Sequence, residues 1–350
     1  MSIRRTNLGL GLALVLAVAV AVAAPSAARA AGAGDGFVVT LFGDWPVADA
    51  LEVVRLTDEA GGRHVTFIVW LEQDSPSASS VRWEGHPDGT PLDSTPIARK
   101  LATAIAEARR RGLSAGIDPI VHERAWSPRH LFWPADRAAW FRSYGARLRE
   151  LAAFAQRHGC DELIAGSELS LLFQDSTGWR QVIREVRGAF RGHVTISATW
   201  PDYAAVRFWD ALDSIGVSAY FPLASSARTR SVESFTRVWK LHRTHLKLLS
   251  WIWRRPITFV EVGYPATEVA AVRPSDYDWG NRRRDDEMQA RTFEAFRRVW
   301  GGDGTLRRFA IWGGQPVAVD AAGTGGKGFR PLGKAAEPVV RALFGDRRRA

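Results

Sequence analysis

Eight short, apolar, β-rich runs alternate with segments of helical spacing along this chain, and that alternation constrains the fold more than any other feature. The expected strands are Gly36–Phe42, His64–Trp70, Leu113–Val121, Asp161–Ala165, Val194–Thr199, Ser214–Ala219, Ile257–Val260 and Arg307–Trp312. Between and after them the apolar spacing predicts helices over Val47–Ala60, Thr95–Arg111, Asp136–Arg157, Gly178–Phe190, Ala204–Leu212, Val232–Leu249, Glu287–Trp300 and Lys334–Phe344. Several close at a glycine: Gly61, Gly112, Gly159 and Gly192. Strict alternation implies parallel strands joined by right-handed crossovers. A doubly wound open sheet shares the pattern, but eight units in a chain of 350 residues fit a closed α/β barrel, (β/α)8, better. No shift in composition marks a second domain, so residues 31–350 are expected to form one catalytic domain.

The first thirty residues stand apart. Arg4 and Arg5 precede an uncharged apolar run from Leu8 to Ala24, and Ala28-Arg29-Ala30 supplies small residues around a cleavage point. Together these read as a secretory signal peptide over residues 1–30 and predict an exported protein, periplasmic or extracellular. An uncleaved anchor is the alternative reading, although the run falls short of the roughly 20 apolar residues a spanning helix needs. No second long apolar run follows, so no stable membrane insertion is expected after cleavage.

Composition then excludes function classes. A single Cys rules out a disulfide framework and a Cys-based zinc cluster, and Cys160 reads as a small buried residue. The net charge of +10 comes from dispersed Arg, without any nucleic-acid-binding motif. No H-E-x-x-H or clustered His suggests a metal, and no G-x-S-x-G suggests an α/β-hydrolase. The stretch Gly323–Gly328 fits G-x-G-x-x-G only formally, since it follows the last strand rather than the first. Neither metal nor cofactor is therefore expected.

Chemistry in a barrel stands at the C-terminal strand ends. The fourth strand opens into Gly166-Ser167-Glu168, and the seventh runs Val260-Glu261-Val262. Two carboxylates on non-adjacent strands can face each other across one barrel mouth. Retaining glycosidases use such a pair, about 5–5.5 Å apart, one as acid/base and one as nucleophile. Sugars present apolar C–H faces and polar edges, so flat aromatics and hydrogen-bonding groups should stand nearby. The candidates are Trp70, Glu72 and Gln73 after strand two, and His122 with Glu123 after strand three. Thr199, Trp200 and Asp202 follow strand five, Tyr220 follows strand six, and Trp312 ends strand eight. The chain holds 15 Trp, and Trp140, Trp179, Trp209, Trp239 and Trp300 lie on or beside expected helices, where packing is the simpler role. Tyr264 is expected only to close a turn.

With these residues in place the chain resembles glycoside hydrolase family 113, which contains endo-β-mannanases. The similar stretches are Trp140–Tyr144, Ile164–Leu169 (IAGSEL), Trp179-Arg180 with Val186-Arg187, Phe208–Asp210, Ile215–Leu223 (IGVSAYFPL), Phe259–Tyr264 (FVEVGY) and Gln289-Ala290. The resemblance implies that Glu168 is the acid/base and Glu261 the nucleophile, with retention of configuration. It implies that Tyr220 hydrogen-bonds the nucleophile. In this family strand five usually ends in Asn-Trp, whereas here Thr199 offers a hydroxyl where the Asn amide would meet a sugar. Two readings of function follow. One is a secreted hydrolase of internal β-glycosidic bonds in a polysaccharide or oligosaccharide, either mannan-like or a bacterial exopolysaccharide. The other is a barrel that binds polysaccharide without cutting it, during synthesis or export.

Overall fold

The computed structural model describes residues 34–41, 45–200, 202–278, 280–314, 320 and 323–349. All of them belong to one compact unit, Ala31–Ala350. The expected signal peptide, and Phe42 of the first expected strand, lie outside the described residues.

Eight parallel strands form the barrel: β1 (Gly36–Thr40), β2 (His64–Glu72), β3 (Ser114–His122), β4 (Glu162–Ser167), β5 (His193–Thr199), β6 (Ile215–Ser218), β7 (Ile257–Val262) and β8 (Leu306–Ile311). Strand β1 pairs in parallel with both β2 and β8, which closes the cylinder. A two-residue strand, Arg82–Trp83, adds an antiparallel flap to Leu71 and Glu72 at the end of β2. Around the barrel lie α1 (Val47–Glu59), α2 (Pro96–Arg110), α3 (Arg137–Arg157), α4 (Ser176–Ala189), α5 (Val232–Trp253), α6 (Asp286–Trp300) and α7 (Glu337–Arg349).

Local chemistry explains where the helices start. Thr95, Asp136, Asp175, Ser231 and Asp285 each accept a backbone N–H from the first turn of the helix that follows. Two expectations need correction. The helix expected over Ala204–Leu212 is a pair of 3₁₀ turns, Asp202–Ala205 and Trp209–Ala211. Side chains there take the carbonyls that a helix would use. The Trp209 indole donates to the Tyr203 carbonyl, Arg180 reaches the Arg207 carbonyl, and Arg255 donates to the Asp210 and Leu212 carbonyls. The last helix, expected to end at Phe344, continues to Arg349 because Arg347 turns inward onto the buried Asp35.

Two apolar layers result. Between barrel and helices lie the fully buried indoles of Trp140, Trp179, Trp209, Trp239 and Trp300, the five expected to pack. Inside the barrel, Val38, Ile68, Trp70, Ile120 and Ala310 form a separate cluster with Trp312 packed against it. Lower in the barrel the interior is ionic, with Arg308 paired to Glu162 and His64 bonded to Ser114 and Thr66.

Candidate active site

Strand β4 delivers Glu168 through a local irregularity. The β4–β5 register shifts between Ile164 and Ser167. A side chain at Gly166 would put its Cβ 2.5 Å from the ring edge of Trp179, so only glycine fits there without moving the indole. Glu168 itself has φ 57°, the left-handed region that non-glycine residues rarely occupy. Its N–H donates to the Ser197 carbonyl at 2.7 Å, which holds the turn. Such a backbone costs about 1–2 kcal/mol and is retained where a side chain must be aimed.

Strand β7 delivers Glu261 the same way. Register shifts occur beside it on both the β6 and the β8 side. Its carbonyl accepts the Ala219 N–H at 2.7 Å, which places Tyr220 beside its carboxyl. The Tyr220 hydroxyl donates to Glu261 Oε2 at 2.8 Å. Burial pushes the Glu261 carboxyl well above the usual range, and the charges of Glu168 and Asp118 push it further. The Tyr220 hydrogen bond and the Arg129 charge oppose them. The charge of Glu168 therefore reaches the Glu261 carboxyl.

Three members of this cluster are absent from the sequence reading. Arg129, on a 3₁₀ turn (Arg129–Leu131) in the β3–α3 loop, donates from Nη1 to Glu168 Oε2 at 2.9 Å. Asp118, midway along β3, is 1% exposed and accepts from Ser167 Oγ at 3.4 Å. Burial raises its carboxyl to about 7, with the Glu168 charge adding and Arg129, Ser167 and Arg308 subtracting. The Tyr277 side chain is half exposed, but its hydroxyl is pushed up by desolvation and then by the charges of Glu261 and Glu168. The sequence signal for Asp118 was a lone acid inside an otherwise apolar strand. Arg129 and Tyr277 carried none beyond lying in long loops at the catalytic end.

The other predicted contacts divide. Trp70 is buried in the interior cluster and meets His122 edge-on, ring centroids 5.6 Å apart. His122 Nε2 lies 3.0 Å from Glu84 Oε1. Glu72 accepts the Gly85 N–H and pairs at 3.1 Å with Arg82, which it shares with Asp74. Gln73 is corrected to a folding residue. It is fully buried, with Oε1 accepting from the Trp140 indole and Nε2 donating to the Ser75 carbonyl. Glu123 likewise spends its carboxylate on the backbone N–H groups of Ala125 and Ser127. Thr199 donates its hydroxyl to Asp202 at 2.7 Å and lies 3.0 Å from Ser170 Oγ. Trp200 packs towards Phe221 and His242. Tyr264 is fully buried, its hydroxyl accepting from the Trp239 indole. Burial raises the Cys160 thiol to about 12, which leaves it inert at neutral pH. Among the described residues no group of three or more His, Cys, Asp or Glu side chains converges as a metal site requires.

Solved structures share this fold. The β-mannanase of family 113 from Alicyclobacillus acidocaldarius superposes with a TM-score of 0.77 at 23% identity, over 91% of this chain and 99% of its own. A second family 113 β-1,4-mannanase gives 0.75 at 23% identity, over 89% and 98%. A Streptomyces cattleya protein of family GH5_18, solved with GlcNAc, gives 0.55 at 15% identity, over 88% and 80%. Among curated proteins no sequence matches the chain. The model of glycoside hydrolase family 113 matches residues 37–330, across the barrel and both strand-end glutamates. The chain therefore belongs to glycoside hydrolase family 113 and is a hydrolase of O-glycosyl bonds.

Proposed function

We propose that this glycoside hydrolase is exported and cuts internal β-linkages of a polysaccharide with retention of configuration, Glu168 serving as acid/base and Glu261 as nucleophile. The observation that carries the reading is the placement of two glutamates at the ends of β4 and β7, near enough for the Glu168 charge to act on the Glu261 carboxyl. Each has its own partner, Arg129 for Glu168 and Tyr220 for Glu261.

In the first step Glu261 attacks the anomeric carbon while Glu168 gives its proton to the departing glycosidic oxygen. Tyr220 occupies Oε2 of Glu261, which leaves the other oxygen to form the bond. In the second step Glu168 takes a proton from water, the water oxygen attacks the same carbon, and Glu261 leaves. Arg129 pairs with the carboxylate that Glu168 becomes between the two steps. Reaction requires an ionised Glu261, against the burial that raises its carboxyl; the Tyr220 hydrogen bond and the Arg129 charge act towards that ionised form. The neighbouring acid Asp118, with a carboxyl titrating at about 7, adds little negative charge below neutrality.

The substrate class is a β-linked polymer, mannan-like or a bacterial exopolysaccharide. Two similar structures are β-mannanases, which favours the first. Export rests on the basic, apolar and small-residue pattern of residues 1–30. The test is reducing-end release from a panel of soluble glycans by the parent, Glu168→Gln and Glu261→Gln. The parent should release reducing ends from at least one β-linked polymer, and each variant should lose about 10³-fold or more. Unchanged cleavage in either variant overturns the assignment.

A further inference from the structure

Trp126 is 54% exposed, yet its backbone sits at φ 53°, in the left-handed region. Three non-glycine residues in the described chain have positive φ, and another of them is Glu168. A bulky residue persists in that conformation only where its surroundings enforce it. Here they do. The Glu123 carboxylate accepts the N–H groups of Ala125 and Ser127 at 2.7 and 2.6 Å, and the Trp126 N–H donates to the Glu123 carbonyl at 2.9 Å. The turn is tied from within.

The indole is fixed as well. The His122 ring lies against one face, centroids 4.5 Å apart and planes 16° from parallel. Trp70 meets it edge-on at 5.4 Å. His122 is itself held beside Glu84. The result is a flat apolar surface, locked in place and open to solvent, three residues before the arginine that binds Glu168. Other exposed indoles differ. Trp133 carries the Arg137 guanidinium over its ring at 4.5 Å, and Trp251 lies on the outer helix α5.

We propose that Trp126 is a pyranose-stacking platform, a sugar subsite on the Glu168 side of the cleft that takes the apolar face of a ring in the substrate polymer. This rests on the glycan-cleaving reading above and extends it to residues outside the reacting pair. A platform that is already rigid spends little ordering entropy when a sugar lands on it. The strain at Trp126 is then the cost of presenting the ring.

The test compares Trp126→Gly with Trp126→Tyr, both in a Glu261→Gln background so that the polymer survives. Glycine suits the left-handed backbone, so the first variant should fold, and its melting temperature checks that. Binding is read as retardation in native gels containing galactomannan, xylan or a polyuronate. The platform predicts that Gly weakens retardation by at least tenfold and Tyr by less than threefold. In the active background Gly should raise KM more than it lowers kcat. Retardation by the Gly variant within threefold of its parent overturns the proposal, as does a Tyr variant no better than Gly. A Glu261→Gln parent that none of the polymers retards overturns it too. Retardation of that parent, with no reducing ends released by the active enzyme, would sink the hydrolytic reading and leave the platform standing. Cleavage by the active enzyme with an unaffected Gly variant would sink the platform alone.

Discussion

Asp118 is the residue whose placement matters most after the two glutamates. It is fully buried, and Glu168, Glu261, Arg129, Arg308, Ser167 and Tyr144 all interact with its charge or its oxygens. Its carboxyl titrates near 7 in the fold against an ordinary 3.8, because burial penalises the anion. The unfolded chain therefore releases this proton at lower pH than the fold does. Stability from this group is complete below about pH 4 and is lost as pH rises through 7. Asp118→Asn removes that dependence. Its stability gain over the parent should grow by about 2–3 kcal/mol between pH 5 and pH 8, read from denaturant midpoints. The buried His64 and His193 titrate in both proteins and cancel in the difference. A gain that stays constant with pH would refute the account. Glu168 and Glu261 were legible because each interrupts an apolar run at a strand end. Asp118 was not, because an acid inside an apolar strand reads equally well as a partner for some buried cation.

At the scale of elements, the end of β4 and helix α4 fit through one close approach. Trp179 lies within an aromatic group that includes Trp140, Phe141, Tyr144, Phe173 and Phe208, and its ring edge covers Gly166. Gly166→Ala drives a methyl into a ring that has no room to retreat. Overpacking of this kind costs about 1–3 kcal/mol. Because Glu168 follows two residues later, kcat should fall together with the denaturation midpoint; a variant as stable and as active as the parent would contradict this packing. Seven helices and all eight strands were readable from periodicity and capping residues. The β5–β6 connection was not. Its apolar spacing looks helical, but Phe208 and Trp209 are buried by tertiary packing, and arginines from α4 and from the chain just after α5 hold its carbonyls.

Across the whole molecule, closure depends on residues far apart in sequence. Arg347 of α7 donates to Asp35, 312 positions away, and to the carbonyls of Asp303 and Leu306. It thereby ties the last helix to the entry of β1 and the entry of β8. Arg347→Met leaves the Asp35 carboxylate buried with the Phe309 N–H for support. Breaking one side of such a pair costs about 3–5 kcal/mol, which a denaturant titration should register. Adding Asp35→Asn should recover part of the loss; a double variant weaker than the single one would argue against the pair. The sequence alone determined the alternation of strands and helices, and with it the barrel and the strand ends where chemistry belongs. Periodicity and capping are local, so they survive in one dimension. Only the tertiary structure decided that Arg129 reaches Glu168, that Asp118 is starved of water beneath the pair, and that Gln73 faces Trp140 instead of the mouth. Those outcomes depend on which side chains meet across the closed barrel, and desolvation and charge act through space, where neighbours in the fold need not be neighbours in the chain.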